Sequence, residues 1–113
     1  MKRVLVLFVL LSNLYSFNLL AQEKQKETKA TTIIVYGSDE CHHCIDTKKY
    51  LKEANIEFVF FDIDKNPDAL KEMLTKLRNA GISTQNLGIP VIDKYGEIFT
   101  NSGNFEQFLK KLK

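Results

Sequence analysis

Two runs rich in β-branched and aromatic residues constrain this chain most: "TIIVYG" from Thr32 to Gly37 and "IEFVFFDID" from Ile56 to Asp64. Each has the length and composition of a buried strand. Between them, Cys44, Thr47, Leu51 and Ala54 recur at helical spacing over Cys41 to Ala54, while Lys48, Lys49, Lys52 and Glu53 fall elsewhere. Strand, amphipathic helix and strand make a βαβ unit, whose two strands run parallel. The stretch Phe58 to Phe61 is apolar on both faces, which predicts a central strand covered on both sides.

The rest of the chain supplies what covers such a sheet. Asn66 is a good N-cap, Pro67 suits the first helical position and Asp68 the positive helix end. Leu70, Met73, Leu74 and Leu77 form a buried stripe that Gly81 ends. "GIPVIDKYGEIFT" reads as a hairpin, with a strand through Ile89 to Ile92, a turn at Asp93 to Gly96 and a strand through Glu97 to Thr100. A last helix starts near Asn104 with Phe105, Phe108, Leu109 and Leu112 on one face. The order β-α-β-α-β-β-α defines an α/β fold with a four-stranded mixed sheet flanked by helices. Tyr36, Phe58, Phe60, Phe61, Phe105 and Phe108 are expected in the core, and Lys48 and Lys49 on a solvated face.

The N-terminus has a different character. Lys2 and Arg3 precede the unbroken apolar run Val4 to Leu11, and a small residue, Ala21, offers a cleavage point. Residues 1–21 therefore read as a secretory signal peptide. A retained anchor is disfavoured because Ser12, Asn13, Ser16 and Asn18 interrupt the segment after the short apolar core. Residues 22–30, "QEKQKETKA", form a polar linker, and residues 31–113 the folded domain. Cleavage removes two of the 16 basic residues, leaving 14 against 14 acidic ones and a net charge of zero. Nothing in that balance suggests nucleic-acid binding.

The chain's two cysteines and two histidines are consecutive: Cys41, His42, His43 and Cys44. A Cys41–Cys44 bridge closes almost no loop and contributes little stability, so a chemical role outweighs a structural one. At the strand-to-helix turn the Cys41 sulfur meets free backbone N–H groups and the helix dipole, which stabilise a thiolate. Cys41 is then the nucleophile and Cys44, one turn on, the resolving thiol. Four consecutive residues cannot all converge on one tetrahedral metal ion, and no other Cys or His is present. A metal or iron–sulfur cluster bridging two chains stays as an alternative, as does a non-catalytic binding module.

These features resemble the thioredoxin-like superfamily, and its glutaredoxin branch in particular, over about Thr32 to Lys113. The matching parts are "CHHC" after the first strand, Ile89 and Pro90 opening the third, and a glycine-bearing turn before the last helix. The resemblance implies a thioredoxin-like (glutaredoxin) fold and a protein thiol–disulfide oxidoreductase. It also implies a cis Pro90 facing the active cysteine, with Ile89 and Pro90 contacting a substrate chain bound as an added strand. The family's usual lysine three residues before the first cysteine is here Ser38, followed by Asp39 and Glu40. His42 and His43 replace a proline and an aromatic, and Gly88 replaces a threonine. "NSGNFE" (Asn101 to Glu106) replaces a double glycine and an acidic pair.

Two carboxylates standing where the family offers a cation argue against the negatively charged glutathione. His42 and His43 are expected to tune Cys41. His43 matches the histidine of the C-P-H-C site in periplasmic disulfide oxidases and is expected to stabilise the thiolate, making the disulfide more readily reduced. Asp39 and Glu40 oppose it, so the direction of electron flow is not fixed by sequence. Asp62 and Asp64 are expected in strand-end or capping roles. The expected partners are protein thiols and disulfides and a redox partner the sequence does not name. The chain is expected to be monomeric, in the periplasm or secreted, without stable membrane insertion once cleaved, and to need no cofactor or metal.

Overall fold

Alternation along β1 (Ile33–Gly37) sets the layers of the molecule. Ile33 and Val35 join one buried cluster, while Ile34 and Tyr36 join another on the opposite face. The computed structural model describes residues 31–113; the signal peptide and linker read over residues 1–30 lie outside the described residues. After β1 come α1 (His42–Glu53), β2 (Phe58–Asp62), α2 (Pro67–Asn79), β3 (Val91–Lys94), β4 (Glu97–Thr100) and α3 (Phe105–Lys110). This is the expected order. The sheet runs β2-β1-β3-β4, with β1 parallel to β2 and antiparallel to β3. Leu51 of α1 and Phe108 of α3 pack with Ile33, Val35 and Ile92 on one face. Ala69, Met73 and Leu77 of α2 pack with Tyr36 and Val91 on the other.

Two expectations change. The apolar run in β2 is not a central strand: β1 pairs with β3 on its other side, so β2 forms an edge. Phe58 and Phe60 face the α1 and α3 side and Phe61 the α2 side. Val59, on the same face as Phe61 but outside both buried clusters, stays 42% exposed. The hairpin is also shifted. β3 extends to Lys94, and the turn is the two-residue pair Tyr95–Gly96, with φ of 56° and 98°. Two positive φ values match the twist of the flanking strands, which is why short hairpins favour this turn. The Asp93 carboxylate accepts the Gly96 N–H at 2.8 Å and closes it.

The helix starts follow the side-chain chemistry. Asn66 accepts the Ala69 N–H at 3.1 Å with Pro67 next in line, and Asn104 accepts the Gln107 N–H at 3.1 Å. A polar network ties α2 to the sheet. Lys76 donates to the Tyr36 hydroxyl and to Asp93, both at 2.7 Å, and Tyr36 donates to Glu72 at 2.8 Å. Burial, the largest cause, pushes the Tyr36 phenol up to about 12, the Glu72 contact adds to it and Lys76 opposes it. Lys76→Met leaves Asp93 and the phenol short of a partner. It is expected to cost about 1–3 kcal/mol in chemical denaturation, since a half-buried polar group keeps its desolvation penalty when its partner goes.

Candidate active site

β1 ends in glycine for a steric reason. A Cβ on Gly37 would lie 2.6 Å from the Cys44 sulfur and 3.1 Å from the Phe60 ring. The bare Cα lets α1 seat its first turn against the strand end. Ser38 then turns the chain, its carbonyl accepting the Cys41 N–H at 3.2 Å. Cys41 is the N-cap of α1, in extended backbone (φ −86°, ψ 119°), and its sulfur accepts the Cys44 N–H at 3.3 Å. A sulfur in that place faces an orphan helix N–H and the positive end of the helix dipole.

Cys41 is partly exposed, whereas Cys44 is 0% exposed. Burial first, and the neighbouring Cys41 second, raise the Cys44 thiol from 9.0 to about 12, against the pull of the Ser38 N–H that meets its sulfur at 3.5 Å. The geometry thus separates the pair into an accessible, helix-capping sulfur and a buried, protonated one. Ile89–Pro90 is cis, as the resemblance implies. The Ile89 carbonyl lies 4.0 Å from the Cys41 sulfur, and Pro90 is fully buried beside it.

The histidines part company. The His42 ring is 86% exposed and lies 3.2 Å from the Asp46 carboxylate one turn on. The His43 ring stacks on Phe105 with centroids 4.1 Å apart, and its Nδ1 lies 3.0 Å from the Asn101 amide nitrogen. Among the described residues, neither imidazole hydrogen-bonds the Cys41 sulfur, so the tuning expected of His42 and His43 has only the through-space route. Nor does Asp39 stand as the bare charge the sequence suggests. Lys48 and Lys65 reach its carboxylate at 3.1 and 3.3 Å and hold its pKa below the usual range. Lys48 also lies 4.0 Å over the Phe60 ring, so it covers core rather than forming a solvated face. Asp62 and Asp64 hold the turn together, as expected. Asp64 accepts the Ser38 hydroxyl at 2.6 Å and Asp62 accepts the Asp64 N–H at 2.9 Å. Among the described residues, no group of three or more His, Cys, Asp or Glu side chains is placed to hold a metal ion.

Asn101 is the site residue that sequence reasoning missed. Its amide nitrogen also donates to the Ile89 carbonyl at 3.1 Å. No local sequence signal pointed to it: only the observed register, in which Val91 pairs with Thr100, brings the next residue out to face Pro90.

A partly exposed cysteine capping a helix, a buried partner one turn on and a cis-proline beside them define a thioredoxin-like redox protein. A sequence model of the glutaredoxin family matches residues 33–92, a span holding both cysteines and the Ile89–Pro90 pair, and the chain belongs to that family. Among solved structures, the glutaredoxin grx-1 from Archaeoglobus fulgidus is similar with a TM-score of 0.53 at 27% identity, over 71% of this chain and 83% of its own. NrdH-redoxin from Escherichia coli, a glutaredoxin-like protein, shares the fold with a TM-score of 0.52 at 20% identity, over 73% and 95%. No curated protein matches the chain.

Gly37→Ala is expected to destabilise the protein by about 1–3 kcal/mol, because a methyl group inserted against a packed sulfur forces a shift. The same variant should speed alkylation of Cys44 in the reduced protein, read by mass spectrometry. The raised Cys44 pKa has a pH consequence too. The folded state keeps a proton that the unfolded chain loses near pH 9, so stability present below about 9 is lost as the pH rises towards about 12. Denaturation midpoints of the reduced protein should fall more steeply over that window than those of Cys44→Ser.

Proposed function

We propose that this protein is an exported thiol–disulfide oxidoreductase that exchanges the Cys41–Cys44 dithiol and disulfide with protein substrates. The observation that carries the reading is the contrast between the two sulfurs: Cys41 caps α1 and is accessible, while Cys44 is wholly buried. In the reducing direction the Cys41 thiolate attacks one sulfur of a substrate disulfide. A Cys41–substrate disulfide forms, the substrate S–S bond breaks and the first substrate thiolate leaves. Cys44 then loses its proton to solvent and attacks the Cys41 sulfur, forming the internal disulfide and expelling the second substrate thiolate. Two electrons pass from the dithiol to the substrate, and the reverse sequence oxidises a substrate dithiol.

Cys41 also bears on the ionisation of Cys44. Its hydrogen bond and its charge both raise the Cys44 pKa, and both vanish when the Cys41 sulfur becomes part of a mixed disulfide. Burial remains, opposed by the Ser38 N–H and the Lys48 charge. Attachment of a substrate to Cys41 therefore eases ionisation of the resolving thiol, while burial, the largest cause, persists. Ile89 and Pro90 lie beside the attacking sulfur, which supports a reading in which they receive the substrate backbone as an added strand. Glutathione is a poor fit to this reading, since Ser38 is engaged with Asp64 and supplies no cation. Export rests on the basic start and short apolar run of residues 1–21 and places the protein in the periplasm or outside the cell.

The test is trapping in the native compartment. Cys44→Ser should accumulate mixed disulfides through Cys41, because the resolving step is gone, whereas Cys41→Ser should accumulate none. Equal trapping by both variants would overturn the assignment. N-terminal sequencing of the protein from its host should begin at about residue 22, and an intact Met1 would overturn export.

A further inference from the structure

Asn101 contacts three successive residues beside the reactive sulfur, Gly88, Ile89 and Pro90, and His43 across from them. Its side-chain nitrogen donates to the Ile89 carbonyl at 3.1 Å and meets His43 Nδ1 at 3.0 Å. Its backbone N–H donates to the Pro90 carbonyl at 3.1 Å, and its own carbonyl packs against Gly88 so closely that a side chain there has no room. One residue therefore joins Gly88, Ile89 and Pro90 to the first turn of α1. The other wall of the clip is fixed as well. The His43 ring stacks on Phe105, which stacks on Phe108 with centroids 5.8 Å apart, and Phe108 is buried in the core.

The hydrogen positions are set by chemistry. The Ile89 carbonyl can only accept, so the amide atom facing it is the NH2 nitrogen. The same nitrogen faces His43 Nδ1, which must then accept, leaving the ring hydrogen on Nε2. Both amide hydrogens are used, one on each partner. Turning the amide over would set its oxygen against the Ile89 oxygen and lose that bond, keeping at most one from a His43 Nδ1–H.

We propose that Asn101 is a positioning residue for exchange with chain-like substrates, its amide fixing the Ile89 backbone beside Cys41 and the His43 tautomer in one clip. The inference rests on the thiol–disulfide exchange proposed above. A substrate strand must find the Ile89 backbone in a set orientation, and the Ile89 carbonyl is 4.0 Å from the attacking sulfur. A small disulfide has no backbone to align and makes no such demand. Loss of the clip should therefore show as a difference between substrates.

The test compares the full-length reduced protein with Asn101→Ala, which removes both bonds, and Asn101→Asp, which keeps the shape but sets an acceptor against the Ile89 carbonyl. The probes are a disulfide-linked dimer of a short unstructured cysteine peptide and dithionitrobenzoate. For the peptide, kcat/KM should fall about tenfold in both variants, mainly through KM, as the loss of one well-placed hydrogen bond predicts. The loss with dithionitrobenzoate should be several times smaller. Ring nitrogen chemical shifts of His43 should report Nε2–H in the wild type and a shift towards Nδ1–H in Asn101→Asp. Equal losses with both probes, or no loss with the peptide, would overturn the positioning role. A wild-type protein inactive towards both probes would overturn the exchange function itself and the proposal with it.

Discussion

The antiparallel pairing of β1 with β3 is the constraint on which the site depends. Tyr36, next to last in β1, lies opposite Val91, the first residue of β3. The end of one strand therefore meets the start of the other. Chain leaving β1 carries Ser38 to Cys41, and chain entering β3 carries Ile89 and Pro90. The β3–β4 pairing returns the end of β4 to the same edge, where Asn101 meets Pro90. Residues distant in sequence thus share one end of the sheet because three strand ends coincide there, and the backbone ladder holds them in place.

The chemistry of the pair comes from different environments for identical side chains. Cys41 stands where a helix has N–H groups to spare; Cys44 is one turn inward, pressed against the Cα of Gly37. Moving Gly37 or Ser38 would alter Cys44 through space and through its one N–H donor, without touching Cys41 directly. The charges around the turn are paired locally. Lys48 and Lys65 hold the Asp39 carboxylate, so little of its field is left to oppose a thiolate.

Much of this was legible in the sequence, because local chemistry decided it. The β1 pattern, the N-caps at Asn66 and Asn104 and the placing of Cys41 at a helix start all derive from residue type and spacing. Ile89 and Pro90 came from the resemblance. The misses have tertiary causes. β2 looks central because Phe58 to Phe61 is apolar throughout, yet which strand takes the middle depends on pairing with β3. Lys65 reaches Asp39 across 26 residues, which no local pattern reveals. The hairpin error had the widest effect. A turn over Asp93 to Gly96 pairs Ile92 with Glu97 and sets Pro90 opposite Phe99. The two-residue turn at Tyr95 and Gly96 moves that register, and only then does Asn101 arrive beside the cis-proline.

The close approach of the Asn101 carbonyl to Gly88 limits what position 88 can hold. The threonine that the family resemblance leads one to expect there has no room while the end of β4 lies where it does. A larger residue at position 88 alone is therefore barred, however mild threonine is elsewhere. Room for it requires a displacement of the β4 end, which gives up the contacts made there. The backbone at position 101 thus dictates the alphabet open to position 88: glycine, until both segments move together.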